Sequence, residues 1–381
     1  MKWEKVKLSE VTEYITDGDH QPAPKSDSGV LFVKIKDIQD NRLTFDNALF
    51  VPQEYYNRLP KNRKAEYGDT LYTVVGSYGI PAFVNHNIPF CFERNIALLH
   101  PNNRVIPKYL YYAVKNPIFY GNANNIANGS AQKLIPLSKL AGMEISVPPI
   151  ERQETIVNIL SAYDDLIENN QKQIKLLEEA AQRLYKEWFI DLRFPGHENV
   201  KIVDGVPEGW TWGTLADIAV FRRGKTISKD QVKAGIIPVV AGGLEPAYYH
   251  DTPNTNAPVV TVSGSGANAG FTRMYHTKVW ASDCSYIDAA VTKDTAWVYC
   301  FLKGNKASID AMQKGAAQPH VYAKDINAMK ALFPDDKLME QFRVIADLMF
   351  TQIGKLDMQI ERLAEARDRL LPKLMSGEIE V

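Results

Sequence analysis

Three cysteines in 381 residues, Cys91, Cys284 and Cys300, are too few, too scattered and odd in number for a disulfide frame. The seven histidines show no HxxxH or Cys/His grouping with metal spacing, so a zinc site is not expected. Long apolar runs are missing too. No stretch approaches the roughly 18 residues needed to cross a bilayer, and Met1-Lys2-Trp3-Glu4-Lys5 lacks the apolar core of a secretion signal. The expectation is a reducing, cytoplasmic setting with no membrane partner. A surplus of charge is the third absence. A formal net charge of −1 is unusual for a chain that grips nucleic acid unaided, because phosphate contacts carry most of such affinity. Charge must be segregated locally, or partner subunits must supply part of any grip. Phe221-Arg222-Arg223-Gly224-Lys225 and Lys34-Ile35-Lys36 are basic, whereas Asp164-Asp165, Glu168 and Glu178-Glu179 are acidic.

What the chain does have is a message stated twice, about 186 residues apart. Gly129-Ser130-Ala131-Gln132 returns as Gly315-Ala316-Ala317-Gln318, Leu140 as Ile326, and Pro148 as Pro334. A long helical pattern follows each copy. In the first, Ile156, Leu160, Tyr163, Ile167, Asn170, Ile174, Leu177, Ala181, Leu184 and Trp188 alternate at spacings of four and three. In the second, Phe342, Ala346, Met349, Ile353, Leu356, Ile360, Leu363, Arg367, Leu370 and Leu374 stand at the same phase. A seam of 3.5-residue period is the mark of a coiled-coil face, and two in phase predict helices that bury their seams against each other. Asn170 stands in that seam opposite Leu356 in the other copy. It is either a register-setting polar residue or a solvent-facing one.

The layout is α+β. Residues 1–149 read as a mixed domain of short β-rich runs, such as Val30–Val33 and Thr70–Val75, between turns rich in Gly, Asn and Pro. Val147-Pro148-Pro149 stops it, since proline cannot continue a ladder. A helix over about 150–190 follows, which at 1.5 Å per residue spans roughly 55–60 Å. Residues 191–337 hold a linker and a second mixed domain, and 338–381 a second helix that Pro372 is expected to interrupt near Leu371. The second domain opens with Trp212–Ile218, echoing Val6–Val11. Its Val259–Val262 with Gly264-Ser265-Gly266 echoes Leu71–Val75 with Gly76-Ser77. The loops between these echoes differ, as expected if each domain reads a different target.

These features resemble the specificity subunits of type I restriction-modification systems over essentially the whole chain. The resemblance rests on the tandem order of domain, helix, domain, helix. It also rests on Gly129-Ser130-Ala131-Gln132 through Ser146-Val147-Pro148-Pro149-Ile150-Glu151-Arg152-Gln153; the second junction departs from it with Phe333-Pro334-Asp335-Asp336 before Glu340-Gln341. It implies two target recognition domains related by pseudo-twofold symmetry and joined by two long antiparallel coiled-coil helices. Each domain would read one half of a bipartite duplex DNA target while the helices set the spacer. The implied partners are two modification (methyltransferase) subunits and restriction (translocase/nuclease) subunits. S-adenosylmethionine, ATP and magnesium would be used there, with no cofactor or catalytic residue in this chain.

Several strings invite a standalone methyltransferase or nuclease reading instead. Ala219–Thr226 falls one glycine short of a phosphate-binding loop. Val262–Gly266 resembles a methyltransferase glycine turn, with Asn87-Ile88-Pro89-Phe90 as an incomplete adenine clamp, and Pro334-Asp335-Asp336-Lys337 offers two carboxylates. A pure coiled-coil scaffold is a third reading, one without salt-dependent DNA affinity. For DNA, phosphate contact is expected of Lys133, Arg222, Arg223 and Lys225, and Arg223→Ala should weaken binding to all sequences. Base reading needs paired donors and acceptors, and is expected of Ser77, Tyr78, Asn128, Ser130 and Gln132. Ser265, Asn268, Gln318 and His320 are their expected counterparts. Tyr111-Tyr112 and Trp297-Val298-Tyr299 read as core.

Overall fold

The computed structural model describes residues 3–46, 48–129, 133–315 and 318–381. Two compact units share the long helices: residues 1–167 with 362–381 form the first, and residues 168–361 the second. The first unit uses strands β1 (Glu4–Lys7), β2 (Thr12–Asp17), β3 (Val30–Val33), β4 (Leu49–Val51), β5 (Thr70–Thr73), β6 (Pro81–Phe83), β7 (Phe90–Phe92), β8 (Ile96–Pro101) and β9 (Glu144–Val147). The second uses β10 (Thr211–Thr214), β11 (Arg222–Arg223), β12 (Ile237–Val240), β13 (Tyr248–His250), β14 (Val259–Ser263), β15 (Thr272–Tyr275), β16 (Trp280–Ala281), β17 (Cys284–Asp288) and β18 (Lys330–Phe333).

The wiring is the same twice. An antiparallel pair, β1 with β9 and β10 with β18, ties the start of each mixed domain to its end. Four-stranded antiparallel sheets run β2-β8-β5-β6 and β11-β17-β14-β15. A smaller mixed sheet runs β4-β3-β7 and β13-β12-β16, with the central strand antiparallel to the first neighbour and parallel to the second. Alternation along the central strands divides each core, because successive side chains point to opposite faces. Tyr72, Ala97 and Leu99 pack toward helix α1 (Pro107–Lys115), while Leu71, Ile96 and Leu98 pack toward Phe90 and Phe92. In the second unit Val260, Val262 and Ile287 face helix α2 (Ile150–Tyr185) and helix α3 (Thr295–Gly304), while Val259 and Cys284 face Val240. Tyr111, Tyr112, Trp297 and Tyr299 are buried in these cores.

Helix α2 begins directly after Pro149, whose carbonyl accepts from Arg152 N and Gln153 N. Gln153 is fully buried and fully partnered: it donates to Arg104 O and Pro148 O and accepts from Ile106 N. At its far end α2 widens into one π-turn, Lys186–Ile190, which brings both Trp188 and Phe189 onto Phe342. Helix α4 (Asp336–Ser376) packs against α2 within each unit, in opposite sense: Asp164 meets Arg367 in the first, and Asn170 meets Gln359 in the second. Every one of the twenty seam positions is buried or half-buried.

Pro372 does not interrupt α4, contrary to expectation. The helix continues four residues past it, because Leu371, Leu374 and Met375 are all buried in the first unit's core. Each such burial stabilises by about 1.5–3 kcal/mol, enough together to override proline's cost of about 3 kcal/mol. Gly377, at φ +75°, ends the helix with bonds from its own N to Leu374 O and from Glu378 N to Lys373 O. The linker after α2 is not formless either: Asp204-Gly205, both at positive φ, turn a short hairpin between Ile202–Val203 and Val206–Pro207.

Candidate nucleic-acid interface

In each unit the loop carrying the repeated Gly packs against the turn that follows the central strand. Asn128 and Leu134 exchange backbone hydrogen bonds, as do Lys314 and His320, 186 residues on. Gly76 N donates to Lys133 O, and Gly266 N to Pro319 O. Ile135 N donates to Val74 O, and Val321 N to Gly264 O. These bonds set a residue-by-residue correspondence between the units. Val74 matches Gly264, and Gly76 matches Gly266, both glycines being left-handed at φ +69° and +78°. Ser265 therefore stands in the place of Val75, not of Ser77, and His320 stands in the place of Leu134. The sequence echo runs two residues out of register with the structure, because Gly264 resembles Gly76 while the ladder aligns it with Val74.

The first unit brings four of its expected contact residues together. Ser77 and Asn128 are exposed, Tyr78 donates its hydroxyl proton to Asn124 Oδ1, and Lys133 Nζ donates to the same oxygen at 3.3 Å. Lys133 also sits 6.0 Å above the Tyr78 ring, which stacks on Tyr120. Ser130 and Gln132 lie outside the described residues. Beneath this turn Tyr72 is held neutral, its pKa raised by burial first and by Tyr120 and Tyr78 second. Asn124 and Tyr120 were not singled out from sequence. Their signal was weak: a run of asparagines on a helix that ends just before the repeated Gly.

In the second unit Ser265, His320 and Asn268 lie together, with Asn268 donating to Gly242 O at 3.4 Å, and Gln318 is exposed on the same loop. Arg223 joins them through a residue that sequence reasoning missed. Asp283 accepts from Ser265 Oγ at 2.5 Å and lies 3.4 Å from Arg223. Arg222 does not join: it is the neighbour of Arg223 on β11 and points to the opposite face. Lys225 lies beyond the strand, where its backbone N donates to Ala281 O. The three basic residues thus do not form one patch.

The same crevice is present in both units. In the first it is lined by Asp17, His20, Val74, Val75, Arg94, Asn95 and Leu134, and encloses about 450 Å³. In the second, Arg223, Asp283 and His320 reduce it to about 30 Å³.

The strings that suggested enzymatic sites are committed elsewhere. Gly224 is a close-approach glycine, since a Cβ there would sit 2.3 Å from Ser282 O. The N–H groups of Gly224 and Lys225 bond to Cys284 O and Ala281 O, so no cradle of free donors remains for a phosphate. In the glycine turn, Ser263, Gly264 and Gly266 donate to Phe271, Asp283 and Pro319 carbonyls. Asp335 caps α4 by accepting from Leu338 N at 2.8 Å. Burial pushes the thiols of Cys91 and Cys284 up to about 12 and that of Cys300 still higher, so none is a ready thiolate. Among the described residues no group of His, Cys, Asp and Glu could hold a metal ion, and no helix is long and apolar enough to cross a membrane.

A duplicated mixed domain, whose copies share a strand order and differ in crevice side chains, defines a class of tandem-repeat α+β proteins. Residues 1–179 match the family model of the Type I restriction modification DNA specificity domain. The chain is similar to two proteins of Methanocaldococcus jannaschii. The type I restriction enzyme MjaIX specificity subunit is 28% identical over 318 residues, covering 77% of this chain and 74% of that one. The putative MjaX specificity subunit is 24% identical over 414 residues, covering all of this chain and 94% of that one. The fold is that of a type I restriction-modification S subunit from M. genitalium, with a TM-score of 0.60 at 18% identity over 98% of this chain and 96% of that one. The chain is thus similar to specificity subunits of type I restriction-modification systems, through the family model over residues 1–179 and through these relatives over 77% to all of its length.

Proposed function

We propose that this chain is the DNA sequence-specificity subunit of a type I restriction-modification complex. The observation that carries the reading is the crevice built twice on one backbone register and lined with different side chains. Identical scaffolds with different linings suit a protein that reads two unlike half-sites. Each mixed domain would read one half of a bipartite duplex target through its glycine turn and repeated loop. Ser77, Tyr78, Asn128, Ser130, Gln132 and Lys133 are proposed for one half. Arg223, Ser265, Asn268, Gln318 and His320 are proposed for the other, while Arg222 and Lys225, which lie off this crevice, are proposed as phosphate contacts only. The bases between the halves would go unread.

Helices α2 and α4, continuous through both units, would set the spacer and dock two modification subunits. Val344, Ile345 and Leu348 are exposed along one flank of α4, as a surface covered by a partner subunit would require. Methyl transfer from S-adenosylmethionine, and ATP- and magnesium-dependent translocation and cleavage, would belong to the modification and restriction subunits. The chain itself would be non-catalytic and cytoplasmic. The test is to sequence modified bases in host DNA with and without the gene. The expected result is a split motif that vanishes on deletion; modification unchanged by deletion would overturn the reading.

A further inference from the structure

The backbone correspondence between the units identifies which crevice residue replaces which. Asp17 pairs with Ala97 across β2 and β8 as Arg223 pairs with Ser285 across β11 and β17. Val74 N donates to Asn95 O as Gly264 N donates to Asp283 O. Asp17 therefore occupies the place of Arg223, and Asn95 that of Asp283. The second unit presents a guanidinium and a carboxylate where the first presents a carboxylate and an amide.

The Arg223–Asp283 pair is poorly explained as a stabilising ion pair. Arg223 is 70% exposed and Asp283 35% exposed, a setting in which such pairs contribute little to stability. Yet Asp283 is held in place by the Ser265 hydroxyl at 2.5 Å, and Gly264, lacking a side chain, leaves the carboxylate uncovered on that side. A carboxylate facing DNA repels phosphate unless a donor meets it; the major groove offers the N4 amine of cytosine and the N6 amine of adenine, and carboxylates characteristically accept from the cytosine amine. A guanidinium reaches the O6 and N7 acceptors of guanine. An oriented carboxylate 3.4 Å from a guanidinium presents the two functions that the two edges of one G·C pair require.

We infer that Arg223 and Asp283, with Ser265 positioning the carboxylate, read one G·C pair in the half-site of the second unit. Arg223 is then a base-reading residue, not the phosphate contact that the sequence suggested. The first unit, with Asp17 and Asn95 in these places, reads a different base at the corresponding position. The inference rests on the specificity-subunit reading above.

The test is selection of bound duplexes from a randomised library by the complex purified with its modification subunits, comparing wild type with Asp283→Asn and Arg223→Ala. Both variants are expected to relax the same G·C position of one half-site, lowering its preference about 5- to 150-fold, the factor corresponding to a base contact worth about 1–3 kcal/mol. The other half-site and the spacer are expected to be unchanged. Asp283→Asn keeps the shape of the side chain and guards against misfolding as the cause; a thermal midpoint equal to wild type verifies it. The inference is overturned if both variants select the wild-type target unaltered, if they relax different positions, or if preference is lost at both half-sites. A wild-type complex that selects no split target overturns the specificity-subunit reading itself, and this inference with it.

Discussion

Replacing Asp164 by asparagine should cost the first unit about 3 kcal/mol. Asp164, on α2, accepts from Tyr112 Oη at 2.6 Å and from Arg367 Nη1 at 2.7 Å, with Lys115 Nζ 3.7 Å away. The side chains of Lys115, Arg367 and Asp164 are 7%, 13% and 19% exposed, so the cluster is largely out of water. Removing one partner of a buried ion pair costs about 3–5 kcal/mol, because the remaining charge is left uncompensated. Two features place this case at the lower end. Burial already lowers the Lys115 pKa to about 8, so without the carboxylate it sheds its proton near neutral pH. Arg367 cannot deprotonate, but it keeps a bond from Nε to Asp368 at 2.8 Å. For a unit of this size each kcal/mol moves the thermal midpoint by about 2–4 °C, so a fall of about 6–12 °C is expected. Far-UV circular dichroism melts measure it, with the exposed Arg369–Glu365 pair as a control that should shift little when Arg369 is replaced by alanine. Acid titration adds a second readout. Burial raises the Asp164 pKa, but Lys115, Tyr112 and Arg367 together outweigh it and hold the carboxyl below its ordinary range. A depressed folded-state pKa gives stability that is present above the unfolded value of about 3.9 and is lost as pH falls through the folded value. The difference between wild type and Asp164→Asn should therefore be full at pH 7 and shrink below about pH 4. A difference under about 1 kcal/mol at pH 7, or one that persists undiminished to the acid limit of folding, would refute the reasoning.

Asn170 is buried in the helix seam and donates to Gln359 at 3.3 Å, so Asn170→Leu should raise the second unit's stability by about 1 kcal/mol if the residue sets register at a cost; an unchanged melt would sink that idea. Burial lowers the His276 pKa to about 4, below its ordinary 6.5, so the unfolded chain takes up its proton first as pH falls. Stability should be lost across pH 6.5 to 4 by up to about 3 kcal/mol, and His276→Gln should flatten that slope relative to wild type in melts recorded at several pH values. Gly354 lies on α4 against the same histidine, where an added Cβ would come 2.7 Å from His276 Cβ. Gly354→Ala should therefore destabilise despite alanine's better helix propensity, by about 1–3 kcal/mol in a denaturant titration; a gain in stability would show that the histidine yields freely.

What the sequence determined by itself is whatever depends on spacing along the chain. The 186-residue recurrence marked two like halves, and the alternation of threes and fours marked the helical faces that Ile156, Leu160, Phe342 and Ile353 bury. Period decides face, because side-chain direction follows residue count within a helix or strand. The same rule, applied to β11, separates Arg222 from Arg223 once that segment is known to be a strand, which a two-residue run could not announce. The loops around Gly129 and Gly315 were legible as matching Gly-flanked polar loops, since Gly129-Ser130-Ala131-Gln132 recurs as Gly315-Ala316-Ala317-Gln318.

Tertiary structure alone decided which groups from distant segments meet. Asp283 joins Arg223 and Ser265 only because β17 lies between β11 and β14, and no local pattern distinguishes it from any other surface aspartate. Arg367 stands in a seam of leucines because Asp164, 203 residues earlier, offers it a carboxylate. Pro372 stays helical because the first unit's core receives Leu371, Leu374 and Met375 on either side of it. In each case the deciding energy is a long-range contact, burial or charge pairing, that outweighs a local preference worth no more than a few kcal/mol.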